Sequence, residues 1–153
     1  MDKQVVEILN KINFVERFNE LCDQYAFGIK ESFGNYDNQR VLEILHEVGY
    51  MAPKHMKREN FFQSVKKVAA YRFEHKIKTK DGIVELIWDV MKDNKYYMGN
   101  SFSNLERFFY HPSELRPLPI FRNYEDLRRI LTIAFQMHED MTTEFLKVHG
   151  DST

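Results

Sequence analysis

Between Val68 and Met91 the chain reads VAAYRFEHKIKTKDGIVELIWDVM, two runs of apolar and polar alternation joined at Lys80-Asp81-Gly82. A period of two marks strands with one side toward a core, and Asp-Gly supplies the positive φ that a tight hairpin turn requires. Ala69, Tyr71, Phe73, His75 and Ile77 are expected to face inward, opposite Val68, Ala70, Arg72, Glu74, Lys76 and Lys78. After the turn Val84, Leu86, Trp88 and Val90 take the inward side, opposite Ile83, Glu85, Ile87, Asp89 and Met91. Residues 67–79 should therefore pair with 83–91. Residues 95–98 are expected as a third strand, and 118–121 as a fourth at an edge, because Pro117 and Pro119 lack donors.

Before the hairpin the period lengthens to that of a helix. Val5, Ile8, Leu9, Ile12 and Val15, with the adjoining stripe Phe14, Phe18, Leu21 and Tyr25, predict one long amphipathic helix. Gly28, Gly34 and Asn35 interrupt it. A second helix should start near Asp37 or Asn38, turn Val41, Leu42, Leu45 and Val48 inward, and stop at Gly49. Pro53 and the polar residues 54–60 read as a connector. Asn123 can cap a closing helix in which Glu125 and Asp126 occupy the first turn, and Leu127, Ile130, Leu131, Ala134, Phe135, His138, Met141 and Phe145 follow helical spacing up to Gly150. The expected class is α+β: N-terminal amphipathic helices, a three- to four-stranded antiparallel meander, and a long C-terminal helix packed on one face, in a single domain of residues 1–153.

Length and composition agree with one core: 153 residues, 43% apolar and 29% charged. Asp2-Lys3-Gln4 open a polar-rich helix rather than a leader, and no apolar run approaches the ~20 residues that span a bilayer, so a cytoplasmic protein without membrane contact is expected. The one cysteine, Cys22, excludes an intramolecular disulfide and a multi-thiolate metal site. With Asp23 beside it, it reads as structural. Net charge is −1 but unevenly spread: residues 1–50 carry 5 Lys+Arg against 9 Asp+Glu, residues 51–100 carry 11 against 6, and residues 101–153 carry 6 against 8. The middle is basic and the flanks acidic.

Tested for chemistry, the chain gives mostly negatives: no Gly-rich phosphate loop, no His-Glu-x-x-His, no Cys-x-x-Cys and no G-x-S-x-G elbow. No catalytic residue, metal site or cofactor is therefore expected. Glu74-His75-Lys76 holds the Glu-x-Lys half of a metal-dependent nuclease signature, without an acidic residue on a preceding strand. The histidines His46, His55, His75, His111, His138 and His149 lack ligand spacing, and His75 and His138 fall on apolar faces, as hydrogen-bonded core residues do. Lys66, Lys67, Arg72, Lys76, Lys78 and Lys80 surround a sheet with Tyr71 and Phe73, the pattern of a nucleic-acid-binding regulator. Strand parity puts those aromatics inside and mixes the cations with Glu74, which argues against direct nucleic-acid contact.

Residues 93–119, DNKYYMGNSFSNLERFFYHPSELRPLP, concentrate Tyr96, Tyr97, Met98, Phe102, Arg107, Phe108, Phe109, Tyr110 and Arg116. Such residues are enriched at protein interfaces. They equally make a lid over a sheet.

Amphipathic helices first, the VAAYRFEHKIKTKDGIVELIWDVM hairpin, the aromatic NKYYMGNSFSNLERFFYHP stretch and a closing helix from NYEDLRRILTIAF together resemble, in overall organisation, the immunity proteins of bacterial contact-dependent growth-inhibition systems, among them the TriTu type. The resemblance implies a non-enzymatic protein that neutralises the C-terminal toxin domain of a delivery protein. Such a toxin is frequently a nuclease, and some also engage translation elongation factor Tu. That family varies in its binding residues, so none carries over by position. From the residues themselves, Tyr97, Arg107, Phe109 and Tyr110 are the candidate anchors, and Glu16, Glu20, Glu43 and Glu47 the acids that would steer a basic partner.

Overall fold

The computed structural model describes residues 2–110 and 116–149. Its elements run α1 (Asp2–Lys11), α2 (Phe14–Gln24), α3 (Asn38–Val48), β1 (Lys54–Met56), β2 (Phe61–Val68), β3 (Tyr71–Lys78), β4 (Glu85–Lys92), β5 (Lys95–Ser101), α4 (Phe102–Glu106) and α5 (Tyr124–His149). The strands form one antiparallel meander in the order β1-β2-β3-β4-β5. α5 lies along one face, where Phe145 meets the rings of Tyr71 at 4.9 Å, Phe73 at 5.4 Å and Trp88 at 6.3 Å. α1, α2 and α3 pack against α5 in turn. Among the described residues no helix is long and apolar enough to cross a membrane.

The α+β class, the β3–β4 hairpin and the inward set Tyr71, Phe73, His75, Ile77, Leu86, Trp88 and Val90 stand as the alternation predicts. Positive φ at Asp81 (60°) and Gly82 (76°) makes the turn. The connection is longer than a two-residue loop, however, since Lys78 pairs with Glu85 and a 3-10 turn at Lys80–Gly82 fills the gap. Gly82 is required twice over there: its φ is left-handed, and a Cβ would lie 2.8 Å from Ser32 Cβ and 2.9 Å from the Phe33 nitrogen.

Four expectations are corrected. The long first helix is two, because Asn13 adopts a left-handed conformation (φ 59°) that breaks it into α1 and α2. The sheet has five strands, since residues 54–56, expected as part of a connector, form β1, and 61–68, of which only 67 and 68 were expected in a strand, form β2. β2 turns back into β3 at Ala69-Ala70, with Ala69 at φ 55°, so Ala69 is exposed at a turn rather than inward. Residues 118–121 contribute one isolated bridge, Ile83 to Ile120, and no edge strand. Their backbone is spent on several segments at once: Ile120 N–H donates to the Tyr25 carbonyl at 2.9 Å, and Phe121 N–H to that of Gly82 at 3.0 Å. The Asn123 cap forms as expected, its Oδ1 accepting from Asp126 N–H at 2.8 Å, and Asp37 caps α3 by accepting from Gln39 N–H at 2.9 Å. The stop at Gly150, and His111, lie outside the described residues.

His75 and His138 are core residues. Their rings stack 4.5 Å apart at 2°. His138 Nε2–H donates to the Ile87 carbonyl at 2.9 Å, which leaves Nδ1 to accept the Tyr50 hydroxyl proton at 2.8 Å. Burial holds His138 down at about 4, against the pull of the Ile87 carbonyl, and holds His75 well below its usual value, helped by His138 and the Lys66 charge. Both rings are therefore neutral at pH 7.

Candidate partner-binding face

α4 is a single anchored turn. Ser101 Oγ caps it by accepting from Asn104 N–H at 3.2 Å, and Phe102 drives its ring edge-on into Phe14 at 5.2 Å and Phe18 at 5.7 Å. With Phe102 and Leu105 inside, helical geometry puts Phe108 on the rim, 42% exposed, near Tyr96 at 61%. A cleft of about 400 Å³ runs between them, lined also by Val5, Tyr97, Met98 and Leu105. A second groove, of about 340 Å³, is lined by Leu9, Asn13, Phe14, Glu16, Phe109 and Tyr110. Val5 and Leu9 are one turn apart on α1, so the two grooves are neighbours on one face.

Glu16, Phe109 and Tyr110 thus come together as a unit. Tyr110 is oriented by its hydroxyl, which accepts from Asn19 Nδ2 at 3.3 Å. Arg107 is exposed at the end of α4. Glu20 follows Glu16 by one turn on α2 and is exposed beside it. Tyr97 behaves mainly as a lid: it is the extra residue of a bulge between Val90 and Met91, and its half-buried ring packs on Tyr71 and Phe145 at 6.0 Å and His149 at 5.8 Å. Glu43 and Glu47 sit apart on α3 and are already engaged, with Arg40 at 3.2 and 3.4 Å, while Arg128 of α5 also grips Glu47. The hydrogen bond from Arg128 holds the Glu47 carboxyl below its usual range. The described ion pairs of α2 spare Glu16 and Glu20, running instead from Arg17 to Asp140 at 2.9 Å and from Asp23 to Arg116. Tyr96 and Phe108 are the residues that sequence reasoning left out of the site. The spacing 102, 105, 108 was the signal that could have placed Phe108 at the rim.

Cys22 lies under this face, buried, its thiol pushed up to about 12 by burial and by the Glu106 and Asp23 carboxylates. It has no thiolate character at neutral pH.

The uncovered face of the sheet carries the Glu-x-Lys element. Glu74 pairs across the ladder with Asp89, and Lys76 Nζ sits between them, 3.3 Å from Glu74 and 3.0 Å from Asp89. A second carboxylate therefore does stand opposite Glu74, on the following strand. The Asp89 hydrogen bond and charge, then Glu74, outweigh the cost of burial and hold the Lys76 ammonium above its usual value. Arg72 Nε lies 3.0 Å from the other Glu74 oxygen, and Lys78 approaches Glu85 at 3.9 Å, so the cations of β3 on this face are ion-paired. Among the described residues no group of three His, Cys, Asp or Glu is placed to hold a metal.

Comparison with protein-family models, curated proteins and solved structures finds no match to this chain.

Proposed function

We propose that this chain is a non-enzymatic immunity protein that acts in the cytoplasm by binding and neutralising a basic toxin domain through the α1–α2–α4 face. The observation that carries this reading is Glu16 lining one of two neighbouring aromatic grooves rimmed by Tyr96, Phe108, Phe109 and Tyr110, with Glu20 one helical turn further on and neither acid ion-paired among the described residues. Exposed like charges raise the rate of encounter with a basic partner, and aromatic anchors in grooves slow its release. Glu43 and Glu47, neutralised within the fold, contribute less to steering. Where the toxin engages translation elongation factor Tu, that protein would join through the toxin.

The test is surface plasmon resonance against the toxin domain encoded beside this gene. Glu16→Lys/Glu20→Lys should slow association and flatten its salt dependence, Glu43→Lys/Glu47→Lys should do so less, and Phe109→Ala should speed dissociation, costing roughly 2 kcal/mol if the ring is a hot spot. Equal rates for all variants, with unchanged melting, would exclude this face. A second reading, a metal-dependent nuclease, is favoured by the Glu74–Asp89 pair alone. Cleavage of DNA or RNA that requires Mg²⁺ and disappears in Glu74→Ala would replace the first reading with the second. A nucleic-acid-binding regulator is disfavoured by the ion pairing of Arg72, Lys76 and Lys78.

A further inference from the structure

Away from both faces just described, a cavity of about 330 Å³ opens between α5 and the start of the sheet. Its walls are apolar, from Met51, Val65 and Phe135, its rim holds Lys66, Lys67 and Glu139, and His75 and Ser64 line it from the sheet. Met51, 76% exposed, stands at the mouth and also borders the neighbouring groove over Lys54 and Arg72.

The hydrogen bonds beneath this cavity determine what it offers. The Trp88 indole N–H can only donate, and it takes one lone pair of Thr142 Oγ1 at 3.1 Å. The Thr142 hydroxyl proton then has one acceptor among the described residues, His75 Nε2 at 2.9 Å. With Nε2 accepting, the proton of this neutral imidazole is on Nδ1, for which the described residues provide no partner. His75 is only 3% exposed, and what it exposes includes Nδ1, so one N–H donor is presented to the cavity. Ser64, the cross-strand neighbour of His75, makes no hydrogen bond to it; its hydroxyl donates to the Met51 carbonyl at 2.7 Å.

The charges at the rim define the complement. Two lysines face one carboxylate, Glu139, which meets Lys66 only loosely at 3.9 Å. The balance suits one negative charge; a dianion would be repelled by Glu139. The volume is at the lower end for small-molecule sites.

We propose that this cavity binds a small organic monocarboxylate, its acid group accepting from His75 Nδ1–H beside the Lys66 ammonium and its apolar body lying against Phe135, Val65 and Met51. The ligand would report on itself, because Trp88, the one tryptophan of the chain, is coupled to His75 through Thr142.

Phenylacetate is a suitable probe, with phenylacetamide as its neutral isostere. Ring ¹⁵N spectra of histidine should show His75 as the Nδ1–H tautomer at pH 7, and millimolar phenylacetate should move that resonance and the Trp88 fluorescence together. Lys66 is exposed, so Lys66→Met should leave the fold intact while weakening phenylacetate about tenfold, a loss of about 1.4 kcal/mol, without changing the response to the amide. An Nε2–H tautomer at His75, no shift at millimolar phenylacetate, or equal phenylacetate affinity in Lys66→Met would each overturn the proposal.

Discussion

On the face of the sheet that α5 covers, Tyr71, Phe73, His75 and Trp88 are buried, and the hydrogen bonds among them run between neutral groups, from Trp88 and His75 to Thr142 and from Tyr50 through His138 to the Ile87 carbonyl. The residues between them on the same strands, Arg72, Glu74, Lys76 and Asp89, keep between 15% and 37% of their side-chain surface exposed and form a chain of full charges shared among several partners. Two chemistries thus alternate residue by residue along β3. Covered by a helix, a charge would lose its hydration and cost more than a pair returns, so the inner face uses neutral donors and acceptors. Facing water, charges keep most of their hydration, and their mutual attraction is weak and exchangeable.

The largest expected effect on this contrast comes from the inner side. Trp88→Ala should cost about 3–5 kcal/mol in urea unfolding, since the ring is fully buried and its loss also orphans a Thr142 lone pair. A cost below 1 kcal/mol would mean that the inner face is not tightly packed. Acid should follow. His138 titrates at about 4 in the fold, below the ~6.5 of an unfolded histidine, so as pH falls below ~6.5 the unfolded chain takes up the proton first. Stability is then complete above that value and is lost progressively down to pH 4, by about 3 kcal/mol for His138 alone, with His75 adding in the same direction. Chemical denaturation at pH 7 and pH 4.5 measures it, and His138→Asn, if it folds, should flatten the slope. Smaller still is a matched comparison of single atoms. Thr142→Val strips the partner from both Trp88 and His75 and should cost about 1–3 kcal/mol. Asp89→Asn on the outer face leaves Lys76 with Glu74 and should cost under about 1 kcal/mol, less at high salt. Equal losses in these two variants would erase the distinction between the faces.

The hairpin, the α3 stop at Gly49 and the α5 cap were legible because each is written in neighbouring residues: an alternation, a glycine at φ 128°, an asparagine three residues before its donor. β1, β2 and their turns were not. Ala69-Ala70 carries none of the turn residues, and Lys66-Lys67 hides the alternation that began at Phe62, because Lys66, opposite the buried Phe73 by register, is exposed at the rim of the cavity. The break at Asn13 was equally silent, since both sides of it keep helical spacing. At the candidate face, Glu16, Phe109 and Tyr110 could be named from residue type, but their meeting depends on the α1–α2 elbow. The engagement of Glu47 by Arg128 joins residues 81 apart in sequence, and the Glu74–Asp89 pair depends on strand register. Pairings of that kind are set by tertiary packing and leave no local trace.

Every strand pairs only with its neighbour in sequence, while the helix that covers them all is the last element described. During synthesis, then, the sheet can assemble step by step as it leaves the ribosome, yet its Trp88 side has no α5 to rest on until some fifty further residues are added, a wait on the order of seconds. For that interval the nascent chain presents a sticky apolar surface, and it is there, rather than in the finished molecule, that a chaperone would have most to do.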